Sequence, residues 1–180
     1  MAANEATCLG LAAACGLAAA KAKLLDVAGL GVLAVRRYDR QDPPAGHLPV
    51  RIHQEDGCQA TATPPGLKYE EQGGPALRDL ASLLRNFGDP RDVTGLLRRT
   101  TFSMAVGTHL GQRVGGQADL RKVTAASLID EAAAWGIRRR TAAGVVTETL
   151  DRVLTAIPAA PGDERVLAVI RGQAERIVRG

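Results

Sequence analysis

Residues 51–75 read R-I-H-Q-E-D-G-C-Q-A-T-A-T-P-P-G-L-K-Y-E-E-Q-G-G-P, and this stretch separates two unlike halves of the chain. Its second part, from Thr61 to Gly74, holds two adjacent prolines and three glycines, which predict an irregular segment. Upstream of it, short apolar runs predict strands. Downstream, apolar residues recur with the spacing of amphipathic helices. The sequence therefore predicts a mixed fold whose larger part is helical.

The elements on both sides can be placed from residue spacing. On the N-terminal side we expect a helix over Asn4–Ala19 and two strands, Ala22–Val27 and Gly31–Arg37, that form a hairpin around Gly29. The two prolines and the glycine between Gln41 and Leu48 predict a loop. The expected C-terminal helices begin near Pro75 and then cover Asp92–Val106, Thr124–Trp135, Thr141–Ile157 and Asp163–Val178. The predicted fold class is α+β, mostly α, with a short N-terminal hairpin followed by a helical bundle.

Length and composition favour one compact domain. The chain has 180 residues, 46% hydrophobic and 23% charged, and no apolar run near the ~18 residues of a membrane-spanning helix. A net charge of +4 is small for a dedicated nucleic-acid binder, and five aromatic residues are too few for a base-stacking platform. We therefore expect neither disorder nor membrane insertion.

The cysteines predict a reducing compartment. Cys8, Cys15 and Cys58 are odd in number and widely spaced, which favours neither a disulfide framework nor a zinc site. The run L-A-A-A-C at Leu11–Cys15 loosely resembles a lipoprotein cleavage site, but no basic residue precedes it. We expect a cytoplasmic protein.

Catalytic motifs are absent from the sequence. It contains no phosphate-binding P-loop, no G-x-S-x-G and no S-x-x-K, and its three histidines are isolated. A kinase needs a base aspartate five residues before a metal-binding asparagine, and the residue in that position before Asn86 is Ala81. The carboxylate pairs Glu55-Asp56 and Glu70-Glu71 are more typical of solvated charge or helix capping than of a metal site.

Several segments together resemble one known family. In the opening stretch, H-Q-E-D-x-C-Q at His53–Gln59 is followed in order by P-P, K-Y-E and G-G-P. V-R-R-Y-D-R at Val35–Arg40 and G-Q-A-D-L-R-K-V at Gly116–Val123 fit the same pattern. This order resembles the HipA-type serine/threonine kinases, the toxins of bacterial toxin–antitoxin pairs. The resemblance runs from Asn4 to about Ile157 and implies a helical bundle like a kinase C-lobe.

The resemblance implies three cofactor-binding positions. The family's adenine-contacting hinge reads V-E-R-[FY]-D-R; here Arg36 replaces the acidic residue, whereas Tyr38 matches. Gln54 corresponds to a family nucleotide contact. The implied cofactors are therefore ATP and Mg²⁺, with Arg36, Tyr38 and Gln54 as the nucleotide-binding residues.

The departures from the family pattern concern catalysis. Where the family continues into D-x-H-x-K-N, this chain reads H-L-G-Q at His109–Gln112, so the base aspartate, the metal asparagine and the metal aspartate have no counterpart. Glu5 resembles the helix glutamate that pairs with the nucleotide-binding lysine, but that lysine is missing, as if the chain began beyond its strand. We expect no catalytic and no metal-binding residue, no bound ATP or Mg²⁺, and no kinase activity.

The expected organisation is a truncated HipA-like domain over residues 4–157 and a C-terminal helix over 158–180 that packs on it. The expected role is that of an inactive kinase remnant, either a pseudokinase or a decayed fragment, that at most binds a helix-turn-helix antitoxin and reaches DNA only indirectly. Two alternatives stay open. One is an active kinase with an unorthodox site built from Tyr38, Gln54, Glu55, Asp56 and Asp119. The other is a DNA-contacting patch formed by Arg98-Arg99 and Arg138–Arg140.

Overall fold

A computed structural model describes residues 2–180 and has the predicted α+β, mostly helical architecture. Two small two-stranded sheets lie in the first third of the chain, and helices make up most of the rest. The strands are β1 (Ala22–Val27), β2 (Leu30–Val35), β3 (Arg40–Gln41) and β4 (Val50–Arg51). The α-helices are α1 (Ala2–Ala14), α2 (Gly57–Ala60), α3 (Leu77–Phe87), α4 (Pro90–Val106), α5 (Ala125–Ala134), α6 (Arg139–Ala156) and α7 (Glu164–Arg179).

The predicted hairpin is present. β1 and β2 pair antiparallel, with Ala22 opposite Val35 and Val27 opposite Leu30. The Asp26 carboxylate accepts a hydrogen bond from the Gly29 N–H at 2.9 Å and stabilises the turn. A second ladder, β3 with β4, flanks the predicted 41–48 loop, and its two residues per strand are too few to produce a periodic sequence signal.

Helix α1 ends at Ala14, five residues before the predicted end. Gly16 has φ 76°, a left-handed conformation that glycine adopts without steric cost. The Gly16 N–H donates to the Ala13 carbonyl, and the Leu17 N–H donates to the Ala12 carbonyl at 3.0 Å. These two bonds form a Schellman C-cap, which stops the helix at this glycine.

The core lies among the C-terminal helices. α4 and α6 pack against each other, α5 packs on α6, and α7 contacts both α4 and α6. Leu97, Leu128 and Leu150 are each at most 1% exposed, and Trp135 is 2% exposed. None of the helices within residues 2–180 is both long and apolar enough to cross a membrane.

Helix α7 is bonded to the rest of the bundle. The Arg176 guanidinium donates hydrogen bonds to the carbonyls of Leu120, Arg121 and Val123, at 3.0, 2.9 and 2.7 Å. The Gln173 side chain donates to the Ala105 carbonyl at 3.2 Å. Helix α7 therefore packs on the helical region through side-chain hydrogen bonds to backbone carbonyls.

Candidate functional site

The three residues implied as nucleotide contacts lie on two neighbouring segments. Arg36 directly follows β2, where its N–H donates to the Lys21 carbonyl at 2.8 Å. Tyr38 stands between β2 and β3 and is 78% exposed. Gln54 follows β4, and the Ile52 N–H donates to the Asp39 carbonyl at 2.9 Å, which joins its segment to that of Tyr38.

The side chains of these three residues do not form one bonded cluster. Arg36 pairs with Asp42 at 2.6 Å, in a contact exposed to solvent on both sides. Within residues 2–180, no hydrogen bond joins the side chains of Arg36, Tyr38 and Gln54. The backbone therefore brings the predicted positions to one edge of the molecule, and their role as nucleotide contacts stays a prediction.

Asp39 is the buried charged group at this edge. Its side chain is 3% exposed and accepts hydrogen bonds from Arg37 Nε at 2.8 Å, Arg37 Nη2 at 2.6 Å and Arg40 Nη1 at 2.6 Å. These hydrogen bonds from Arg37, with the charges of Arg37 and Arg40, lower the pKa of Asp39 to about 2 although burial opposes the shift. Asp39 therefore stabilises the segment from Arg37 to Arg40 through its ionised form.

Replacement of Asp39 by asparagine is expected to destabilise this edge in a pH-dependent way. Because the folded pKa is about 2 and the unfolded pKa is about 3.9, the ionised carboxylate stabilises the fold above about pH 4, and this contribution is lost as the pH falls towards 2. The thermal midpoints of the wild type and Asp39→Asn should therefore differ at about pH 7 and converge near pH 2.

The matched control for this prediction is Asp42→Asn. Asp42 also pairs with an arginine, but its side chain is 81% exposed, so its substitution should change the midpoint little at any pH. An equal effect of the two substitutions at neutral pH would contradict the assigned role of Asp39.

The segment after α4 takes the place where the resemblance puts the catalytic loop. It returns from Val106 to the bundle through residues 107–119 and is fixed on the K-Y-E segment of the opening stretch. The Glu70 N–H donates to the Gly111 carbonyl at 3.0 Å, and the Glu70 carboxylate accepts from the Arg113 N–H at 2.7 Å. A Cβ at residue 111 would lie 3.3 Å from the Tyr69 ring, so glycine permits this close approach.

This docking role of Glu70 is not predicted from the sequence. The Glu70-Glu71 pair is predicted to be solvated or helix-capping charge, but the Glu70 carboxylate instead accepts a hydrogen bond from a backbone N–H 43 residues away. The only available signal was the family-like K-Y-E triplet itself, which marks the segment without naming its partner. The structure thus assigns the triplet an architectural contact.

A cleft of about 290 Å³ lies between α3, α4 and the 107–119 segment. Leu77, Leu80, Leu96 and Met104 form much of its apolar wall. Its polar lining residues are Arg99, Thr100, Ser103, His109 and Gln112, and no carboxylate lines it. The cleft therefore has hydroxyl, amide, imidazole and guanidinium groups but no acidic group to act as a base or a Mg²⁺ ligand.

The carboxylates proposed for an unorthodox site are engaged elsewhere. Asp56 caps α2 by accepting from the Gln59 N–H at 2.8 Å. The Asp119 carboxylate accepts hydrogen bonds from the backbone N–H and from the guanidinium of Arg121, and these bonds lower the pKa of Asp119. Glu55 lies 3.7 Å from His53. Across residues 2–180 no three acidic, histidine or cysteine side chains gather as a metal site.

The fold is that of the HipA class of proteins. The sequence profile described as the HipA-like C-terminal domain matches residues 1–109, which is more than half of the chain. The chain belongs to this family, and the resemblance seen in the sequence is confirmed.

Two known proteins illustrate the relationship. The chain is 42% identical over 106 residues to the proposed kinase Y4mE of Sinorhizobium fredii, a match that covers 58% of this chain and 25% of that protein. It superposes with a TM-score of 0.82 and 18% identity on a chain from the HipA, HipB and operator DNA complex of Shewanella oneidensis, which shows a shared fold. That match covers 98% of this chain and 54% of the other, so the present chain spans about half the length of this structural relative and a quarter of Y4mE.

Proposed function

We propose that this chain is a HipA-family protein without kinase catalysis, whose role is to bind a helix-turn-helix antitoxin. The observation that carries the first half of the proposal is the 107–119 segment, which is bonded to Glu70 and borders a cleft without carboxylates. Phosphoryl transfer relies on a positioned base and on metal ions that neutralise charge on the transferred group. A site that lacks both contributions supports nucleotide binding at most.

A titration with Mg-ATP tests the catalytic half. We expect no measurable heat in isothermal titration calorimetry and no transfer of labelled phosphate to the chain itself or to a generic protein substrate. Phosphate transfer would contradict the proposal and favour the unorthodox kinase site. Heat without transfer would leave the chain inactive but show that it binds nucleotide.

The Gln54→Ala variant tests where nucleotide binds, if the titration detects binding. If nucleotide binds at the edge formed by Arg36, Tyr38 and Gln54, this substitution should weaken it, because the amide is exposed and free to contact a ligand. The control is Gln59→Ala, since the Gln59 side chain already accepts from the Asp56 N–H within the α2 capping box. Equal heats for the two variants would place the nucleotide elsewhere.

The antitoxin half rests on family membership and on the partner of the structural relative. That relative is part of a complex with HipB and operator DNA. We infer that a helix-turn-helix antitoxin contacts the present chain and that DNA is reached through it, in the cytoplasm, where the three free thiols are stable. Co-elution with a cognate antitoxin in size-exclusion chromatography supports this inference, and separate elution at micromolar concentrations contradicts it.

Direct DNA binding by the suggested arginine patch is the remaining alternative, and the ion pairs of its arginines argue against it. Arg98 donates to Glu148 at 2.9 Å, and Arg139 pairs with Asp130 at 2.6 Å, so two of the five arginines in the suggested patch already have acidic partners. We expect the chain alone to show weak DNA binding. A steep fall of affinity with salt concentration would instead indicate many phosphate contacts and revive the alternative.

A further inference from the structure

One side of α4 forms a wall of the cleft between α3, α4 and the 107–119 segment. Five residues face the cleft there, with the three- and four-residue spacing of a single helix face: Leu96, Arg99, Thr100, Ser103 and Met104. Leu77 and Leu80 of α3 lie on a second wall. The volume is about 290 Å³, roughly ten times the ~30 Å³ that a molecule of liquid water occupies, so the cleft accommodates about ten non-hydrogen atoms.

Arg99 gives this cleft a positive charge. Within residues 2–180 it forms no salt bridge, whereas its neighbour Arg98 pairs with Glu148 at 2.9 Å. Because no carboxylate lines the cleft, the Arg99 guanidinium has no anionic partner in the wall. A planar guanidinium binds a carboxylate through two parallel hydrogen bonds. The charge of the cleft therefore favours an anionic ligand.

Thr100 provides an independent indication of a ligand. It lines the cleft and is only 6% exposed, and its hydroxyl makes no hydrogen bond within residues 2–180. The buried Thr149 of α6, in contrast, donates to the Val145 carbonyl at 2.6 Å. A buried hydroxyl without a partner costs free energy, and a bound acceptor removes this cost. Arg99 and Thr100 are adjacent on α4 and both face the cleft, so one acceptor group can bond to both.

The rest of the lining limits the size and polarity of the ligand. The leucines of α3 and α4 and the Met104 side chain offer apolar contact beside the polar pair. Pockets for small molecules combine mostly apolar walls with a few polar groups that fix the orientation of the ligand. The cleft lies at the lower end of the ~300–1,000 Å³ range of such pockets, which fits a small organic acid and excludes a nucleotide.

We propose that this cleft binds a small amphipathic carboxylate. Its carboxylate group accepts hydrogen bonds from the Arg99 guanidinium and the Thr100 hydroxyl. Its apolar body, of roughly eight carbon atoms, packs against the leucines of α3 and α4. The inference goes beyond the proposed function, since neither nucleotide nor antitoxin takes part in this binding.

Phenylacetate is the probe, because its single charge and its ring match the two parts of the cleft. The experiment is a nuclear magnetic resonance titration of the full ¹⁵N-labelled chain at constant ionic strength. Saturable shift changes are expected at the amides of the residues that line the cleft, with a Kd of about 0.1–1 mM. The uncharged phenylacetamide has nearly the same shape and should bind at least about tenfold more weakly.

Arg99→Met tests the charge. This substitution keeps an unbranched side chain and removes the guanidinium, so phenylacetate should bind at least about tenfold more weakly. The matched control is Arg78→Met, which removes the same charge from an exposed position of α3 that does not line the cleft. The control should bind phenylacetate as tightly as the wild type.

Thr100→Val tests the hydroxyl. We expect phenylacetate to bind about tenfold more weakly, whereas the thermal midpoint of the ligand-free chain should not fall, because the hydroxyl has no protein partner to lose. Thr101→Val is the matched control. The Thr101 hydroxyl is also buried and without a partner, but Thr101 does not line the cleft. Its substitution should leave the affinity unchanged.

Four results would overturn the proposal. They are the absence of saturable shifts up to about 20 mM phenylacetate, equal affinities for the acid and the amide, equal effects within either pair of variants, and binding of inorganic phosphate as tight as that of phenylacetate. Shift changes spread over exposed arginines elsewhere would indicate unspecific anion binding and would also contradict it. None of these results bears on kinase inactivity or on antitoxin binding, which have separate tests.

Discussion

Substitution of Trp135 by alanine is expected to lower the free energy of unfolding by about 3–5 kcal/mol. The side chain is 2% exposed and follows α5 directly, where the bundle closes. Its Nε1 donates to Glu131 Oε1 at 3.0 Å, and Glu131 Oε2 accepts from the Gly115 N–H at 2.8 Å. The indole thus fills the core and also orients the carboxylate that binds Gly115 within the 107–119 segment.

The effect is large against the total stability of a domain, which is typically about 5–15 kcal/mol. Urea unfolding followed by far-ultraviolet circular dichroism measures it. Phe87→Ala is the control, because Phe87 is 85% exposed and its loss should change stability by no more than about 0.5 kcal/mol. Trp135→Phe should lie between the two, since it keeps most of the volume and loses the donor. A Trp135→Ala variant as stable as Phe87→Ala would contradict the assigned core.

The second large effect is expected at Arg176. Its guanidinium donates to the carbonyls of Leu120, Arg121 and Val123, in and directly after the short turn Leu120–Lys122. Hydrogen bonds from charged donors contribute about 1.5–3 kcal/mol each, but three bonds from one group are not additive. We expect Arg176→Ala to lower the free energy of unfolding by about 2–4 kcal/mol.

Arg171→Ala on the same helix is the control, because Arg171 is exposed and its loss should be nearly neutral. The same urea experiment tests whether residues 158–180 form one cooperative unit with residues 4–157. A single transition is expected for both variants. A separate early transition of the C-terminal helix, or equal stability of the two variants, would contradict that organisation.

The helices could be predicted because their signals are local. Asp163 accepts from the Arg165 N–H at 2.8 Å and begins α7 where a capping residue precedes an amphipathic stretch. Thr124 caps α5 in the same way. The start of α3 is predicted near Pro75, two residues early. The helix begins at Leu77, because the Asp79 side chain accepts a hydrogen bond from the Ala76 N–H and fixes the first turn there. Caps of this kind are visible in the sequence once the correct acidic residue is chosen.

The site is harder to predict than the helices. Its hydrogen bonds join residues far apart in the sequence, and its strands β3 and β4 are too short to show a pattern. The bond between Glu70 and Arg113 joins segments whose sequences show no complementary pattern. The Y-D-R match marked Asp39, but nothing in the sequence indicated that its carboxylate is buried among arginines. The family resemblance implied Arg36, Tyr38 and Gln54 as nucleotide contacts, and only the fold shows that they lie on two neighbouring segments.

The hydrogen bonds that hold residues 107–119 leave part of this segment free to vary in length. The segment is tied at Gly111 and Arg113 to Glu70 and at Gly115 to Glu131, so its path is set by anchor points that lie outside it. Extra residues between Gly107 and Gly111 would lengthen a loop that leaves the buried helices untouched, and the entropic cost of a longer loop grows slowly with length. Residues can therefore be inserted or removed at this one junction while the scaffold keeps its shape.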